Sequence, residues 1–161
     1  HLGVPHPPGY PLHTLLGWLF TFIPIGNIAW RVNLSNATCG ALSIGLISYL
    51  CCRSGHLILR KCLTDLAPLE QLKLERLVGF CSIAASLVLA FSHVMWSQSV
   101  VVEKYALNSV CFVLIIFFLF LWVESPEKLR WLTLACFAFG LGMTAHQTTM
   151  FFFPGIVAAV F

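Results

Sequence analysis

The sequence has 161 residues, of which 59% are apolar and only 9% charged, with a mean hydropathy of +0.90 and a net charge of +3. Soluble domains average about 25% charged residues, so this chain cannot clothe itself in a polar surface and reads as a membrane protein. The net charge is too small to point to a nucleic-acid partner, and its placement matters more than its size.

The chain opens on Leu2-Gly3-Val4-Pro5-His6-Pro7-Pro8-Gly9-Tyr10-Pro11-Leu12. Its prolines remove backbone donors and hold the preceding residues extended, so the run forms a rigid elbow rather than a helix. No basic region precedes an apolar core, so nothing here resembles a secretory signal. The sequence starts without methionine and stops inside an apolar run, which reads as a piece of a longer polypeptide. Residues 11–24 are apolar but short, a length that suits an interfacial or re-entrant helix.

Four segments reach the roughly 20 residues that a spanning helix needs: about 32–52, 77–96, 106–123 and 131–150, with a fifth beginning near 151. The first is rich in small residues (Ser35, Ala37, Gly40, Ala41, Ser43, Gly45, Ser48), which let helix backbones approach closely in lipid. The stretch 53–76 carries Arg53, Arg60, Lys61, Lys73 and Arg76, and the stretch 124–130 carries Lys128 and Arg130. The positive-inside rule places both in the cytosol. The elbow, Arg31, the turn at Glu103-Lys104-Tyr105 and the region of His146 then share the opposite side. Trp96 and Trp131, near span ends, fit an aromatic belt.

The cysteines (Cys39, Cys51, Cys52, Cys62, Cys81, Cys111, Cys136) are scattered through apolar stretches without a Cys-x-x-Cys pair. They indicate neither a zinc site nor a disulfide framework, and read as small buried side chains. The Cys51-Cys52 pair stands where a span meets a basic stretch, a position compatible with palmitoylation. His1, His6 and His13 lack metal-ligand spacing, so no metal site is expected. Asn33-Leu34-Ser35 and Asn36-Ala37-Thr38 are glycosylation sequons on the non-cytosolic side, but both fall at the start of a span, where neither is expected to be modified.

Ionisable and polar groups at membrane depth usually face a cavity, a partner or a headgroup. Here His6, Tyr10, Arg31, Glu103, Tyr105, Asn108 and His146 gather on one side. Each also has an ordinary reading: Arg31 as an interfacial anchor, Glu103 as a solvated turn carboxylate paired with Lys104, His146 as a hydrogen-bonded core histidine. Neither a Ser-His-Asp set nor a phosphate loop is present. A transporter would place polar groups at the midplane and repeat internally; no repeat is visible. A non-catalytic membrane scaffold is the other alternative.

Four ordered stretches resemble a known family. The opening elbow is similar to the signature of multispanning protein O-mannosyltransferases of the GT-C type. That family's animal member modifies IPT domains of plexins and related receptors, and it has bacterial relatives. Arg31-Val32-Asn33-Leu34 resembles the start of the family's next helix. Trp96-Ser97-Gln98 followed by Glu103-Lys104-Tyr105-Ala106-Leu107-Asn108 resembles its Trp…Glu-x-aromatic-x-Leu-Asn run, and Gly140 to Thr148 its glycine-rich run ending in a His/Gln-Thr motif.

The resemblance implies an all-α polytopic GT-C-like bundle of about four to five spanning helices plus a short interfacial helix. Residues 1–31 would end the first lumenal loop and 32–161 would supply the spanning helices of the same domain. It implies dolichyl-phosphate-mannose, or another polyprenyl-phosphate sugar, as donor and a secretory-pathway Ser or Thr as acceptor, with no certain cofactor. The membrane would be the endoplasmic reticulum or, alternatively, the bacterial inner membrane. The family's catalytic Asp is expected upstream of the elbow. Glu103 would then be the supporting catalytic carboxylate and Arg31 the phosphate partner. His6, Tyr10, Tyr105, Asn108, His146 and Gln147 would bind the sugar or lipid phosphate.

Overall fold

A computed structural model describes residues 10–63 and 67–160, and these are all-α, without strands. His6 and the elbow ahead of Tyr10 lie outside the described residues. Pro11 begins α1 (Pro11–Phe20), where a missing backbone donor costs nothing. The Tyr10 carbonyl accepts from both the Thr14 amide (2.9 Å) and the Thr14 hydroxyl (3.0 Å). The chain reverses at Gly26, the one described residue with left-handed backbone (φ 68°). Asn27 then caps α2 (Ile28–Cys62) by accepting from the Trp30 amide at 2.8 Å. Gly17 faces Val32 across the α1–α2 crossing, where a Cβ would stand 3.4 Å from the Val32 methyl.

Helix α2 has 35 residues, roughly 52 Å at 1.5 Å per residue and far more than an apolar core of about 30 Å. The basic stretch after the first span is therefore not a loop at its start. No proline follows Arg53 before Pro68, and Gly55 is carried within the helix against Val78, so the helix runs on to Cys62 and α3 (Pro68–Ala90) returns beside it. The second expected span is broken: Ser92 accepts from the Met95 amide at 3.4 Å and starts α4 (His93–Val100), which is bent by 62° from α3.

Helix α5 (Tyr105–Glu124) matches the third expected span and packs between α2 and α6 (Arg130–Ala145). The fourth span also breaks, at His146, and continues as a 3₁₀ turn (Gln147–Phe152) and α7 (Phe153–Val160). By length and composition two described helices, α2 and α5, can cross a membrane, or three if α3 and α4 form one bent span. The all-α membrane bundle stands. Of the four to five expected spans, the second and fourth are interrupted at Ser92 and His146, breaks that hydropathy cannot see.

The core sits near the start of α5, where Ala106, Leu107, Val110 and Cys111 meet Cys39 of α2 and Ala145 of α6. Small residues make these crossings close. A Cβ on Gly40 would collide with Ser99 of α4, and one on Gly142 would lie 2.7 Å from Thr149 and 3.3 Å from Cys111. Large apolar side chains such as Phe80, Val88, Phe91 and Phe137 point outward, as lipid-facing residues do.

Candidate functional site

The break after α6 creates the polar cluster. His146 is extended (φ −160°, ψ 140°), and its Nδ1 accepts the Thr148 amide at 3.2 Å. A backbone amide can only donate, so Nδ1 carries the lone pair and the ring proton is on Nε2. The Thr148 hydroxyl, 2.8 Å from the same Nδ1, must then donate to it. Its oxygen is left to accept from Asn108 Nδ2 at 3.2 Å, while Asn108 Oδ1 accepts from the buried Thr149 hydroxyl at 3.1 Å. This chain of bonds fixes one direction throughout and leaves the His146 Nε2–H without an acceptor among the described residues. Asn108 is buried, so the network costs little only because it is complete.

Two tyrosines flank that imidazole. Tyr10 lies parallel to it within 3° at a centroid distance of 6.2 Å, and Tyr105 is tilted by 41° at 5.7 Å. The Lys104 ammonium stands over both rings, 4.4 Å from the Tyr10 centroid and 5.4 Å from that of Tyr105. Contact with the Tyr10 hydroxyl, aided by neighbouring Glu103 and Tyr105, holds its pKa above the ordinary lysine value against a smaller opposing effect of burial.

The turn joining α4 to α5 is held from α2. The Glu103 amide donates to the Val101 carbonyl at 2.8 Å, a tight turn. Asn36 Nδ2 donates to the carbonyls of both Val101 (2.5 Å) and Glu103 (3.0 Å). Asn36 is fully buried, and its Oδ1 has no hydrogen bond of good geometry among the described residues. The His13 imidazole of α1 interacts with the Asn36 side chain. Burial lowers the His13 pKa below 6.5, opposed by the Asn36 amide and the Glu103 charge. The Glu103 carboxylate itself is half-buried and makes no hydrogen bond or ion pair among the described residues.

The structure thus gathers Tyr10, Glu103, Tyr105, Asn108 and His146 at one end of the bundle, as the sequence suggests, while His6 lies outside the described residues. Gln147 is exposed, and of the neighbouring pair it is His146 that enters the network. Arg31 departs from expectation in its bonding. Its Nε donates to the Ile25 carbonyl (2.9 Å), Nη1 to Thr21 (2.8 Å) and Nη2 to Gly26 (2.9 Å). Three of the five guanidinium N–H groups therefore brace the α1–α2 turn.

Asn36, His13 and Lys104 were not among the expected site residues. A signal for Asn36 exists: with Cys39, Gly40 and Ser43 it follows the three-and-four spacing of one helix face, and that face is the buried one. The nitrogen of Asn36 that glycosylation would use donates to the Val101 and Glu103 carbonyls.

Comparison with known proteins places the chain. A family model described as the Protein O-mannosyl-transferase TMEM260 N-terminal domain matches residues 1–161. The chain is 29% identical over 162 residues to the Protein O-mannosyl-transferase TMEM260 of Mus musculus, covering 97% of this chain and 20% of that protein. It is 26% identical over 165 residues to the Protein O-mannosyl-transferase tmem260 of Dictyostelium discoideum, covering 91% of this chain and 17% of that one. The chain therefore spans a fifth or less of the length of these curated relatives. No solved structure matches it. With its full length matched by the family model, the chain belongs to the family of the Protein O-mannosyl-transferase TMEM260 N-terminal domain.

Proposed function

We propose that this chain forms part of the donor cavity of a membrane-embedded protein O-mannosyltransferase. The donor is a polyprenyl-phosphate sugar, dolichyl-phosphate-mannose in a eukaryotic cell, and the acceptor is a Ser or Thr hydroxyl of a secretory-pathway protein. The observation that carries the reading is the convergence of Tyr10, Glu103, Tyr105, Asn108 and His146 at one end of an apolar bundle. Family membership and the named activity of the relatives support it. The asymmetry of basic residues supports a lumenal position for this end in the endoplasmic reticulum, or a periplasmic one in a bacterial inner membrane.

The reaction is an inverting transfer. A carboxylate takes the acceptor's hydroxyl proton, the hydroxyl oxygen bonds to the anomeric carbon, and the bond from that carbon to the phosphate oxygen breaks. Polyprenyl phosphate leaves with the bonding electrons. Glu103 supports the aspartate that the family resemblance expects upstream, and the turn that Asn36 holds sets where the Glu103 carboxylate stands. The His146 Nε2–H and Tyr10 offer hydrogen bonds to sugar or phosphate, and Asn108 fixes the imidazole through Thr148. Arg31, through its three carbonyl bonds, sets the α1–α2 turn behind Tyr10 and His13.

The test is mannosyl transfer by the full-length protein from dolichyl-phosphate-mannose to a Ser/Thr acceptor domain in detergent. Glu103→Gln is expected to lower turnover roughly 100-fold, the range of a lost acid–base group, with the thermal midpoint unchanged. Wild-type turnover in that variant overturns the role of Glu103. Absence of transfer by the wild-type protein from any polyprenyl-phosphate sugar overturns the enzyme reading.

A further inference from the structure

A cleft of about 300 Å³ opens between α4 and α5, next to the cluster. Val94, Met95, Gln98, Tyr105, Ala106 and Ser109 line it, and most of the lining is apolar. That volume is at the lower end of the roughly 300–1,000 Å³ typical of ligand sites, room for a stretch of hydrocarbon chain but not for a whole glycolipid. Tyr105 belongs to two features at once. Its ring lines the cleft and also lies 5.4 Å from the Lys104 ammonium, so an apolar slot and a fixed cation meet at one residue. Arg31, the other cation at this end, has its guanidinium turned onto the Thr21, Ile25 and Gly26 carbonyls. Lys104 makes no carbonyl bond among the described residues; the Tyr10 hydroxyl and the faces of Tyr10 and Tyr105 hold it.

We propose that the α4–α5 cleft seats the head-proximal part of a lipid chain whose phosphate pairs with Lys104. This rests on the polyprenyl-phosphate reading above and deepens it, because it moves the phosphate partner from Arg31 to Lys104 and gives the chain a place. The aromatic faces hold the ammonium against Tyr105, the residue that also lines the slot, and its N–H groups not turned to the rings meet the anion. An anionic head and a single apolar tail on one ligand match this juxtaposition; a free anion uses only half of it, and a neutral alcohol only the other half.

Binding to the full-length protein in nanodiscs tests the site, with dodecyl phosphate, inorganic phosphate and dodecanol as probes and phosphatidylglycerol as a competing headgroup. Dodecyl phosphate is expected to bind more tightly than either half-ligand. Lys104→Gln should weaken it roughly five- to tenfold, and Lys104→Arg should restore most of the affinity. Ser109→Phe, which fills the cleft, should weaken dodecyl phosphate while leaving inorganic phosphate unchanged. Val94→Trp, at the exposed lip, supplies a second block that leaves the helix crossings untouched. Wild-type affinity in Lys104→Gln, or in both blocked variants, overturns the site, as does equal competition by phosphatidylglycerol, which would make the occupant bulk lipid. Lys104- and cleft-dependent binding without any mannosyl transfer would keep the site and sink the enzyme reading. Transfer that ignores these substitutions would do the reverse.

Discussion

The two ends of this bundle use polar side chains in opposite ways. Asn36 and Arg53 lie on the same helix, 17 residues apart, or roughly 26 Å along its axis. Around Arg53 the charged contacts are ion pairs open to solvent: Arg53 with Glu124 at 3.1 Å, Arg60 with Glu75 at 3.5 Å, Lys128 with Glu127 at 3.8 Å, beside a partly buried bond between His56 and the Glu75 carbonyl at 3.1 Å. Around Asn36 they are amide, hydroxyl and imidazole bonds that cross between helices and are largely buried. Exposed ion pairs contribute about 0–1 kcal/mol and tolerate change. A buried polar group that loses its partner costs about 1–3 kcal/mol, so the Asn36 end is intolerant of change and specifies one geometry. Such a contrast is what the proposed function expects, with one end constrained and the other mostly facing water.

The largest effect that would test this contrast is expected from Asn36→Leu. It strips the Val101 and Glu103 carbonyls of their shared donor and frees the turn that carries Glu103. Destabilisation of about 2 kcal/mol, with at least a tenfold drop in transfer by the full-length protein, is expected. Activity equal to wild type would show that the turn holds itself.

A smaller effect should come from acidification. The His13 pKa is lowered in the folded state, so the fold binds the neutral ring in preference. Unfolded His13 takes up its proton as pH falls through 6.5, earlier than the folded ring does. Stability contributed by this site is thus complete above that pH and declines below it. The thermal midpoint of the full-length protein should fall between pH 7 and pH 5 by more than that of His13→Gln. Parallel profiles would remove His13 from the account.

Arg53→Ala should do least. With the Arg53 side chain 46% exposed, a loss below about 1 kcal/mol and unchanged transfer are expected. A loss as large as that of Asn36→Leu would erase the distinction between the two ends.

Hydropathy made α5 legible because a long unbroken apolar run has only one economical conformation in lipid. It missed the breaks at Ser92 and His146, since each depends on one side chain competing with the helix for a backbone amide. The cluster was legible where residue type alone marks it, as at Glu103, Asn108 and His146. His13 and Asn36 were passed over because their roles exist only across helices: α1 must fold back through Gly26 and the Arg31 brace before His13 can approach α2. Arg31 shows the converse. Its charge stood out in the sequence, while the carbonyls it serves, being backbone, could not.

The extended backbone at His146 has one more consequence. Irregular main chain at membrane depth is stable only beside protein or water. An imidazole whose Nε2–H has no acceptor among the described residues, beside an exposed Gln147, gives water such a foothold. If the proposed function holds, a transferase built around this break has to tell a protein hydroxyl from a water molecule that can reach the same wall. Under the proposed function its fidelity would be a partition ratio, sugar delivered to protein against sugar lost to solvent, and the packing of Tyr10 and Tyr105 against His146 is where that ratio would be tuned.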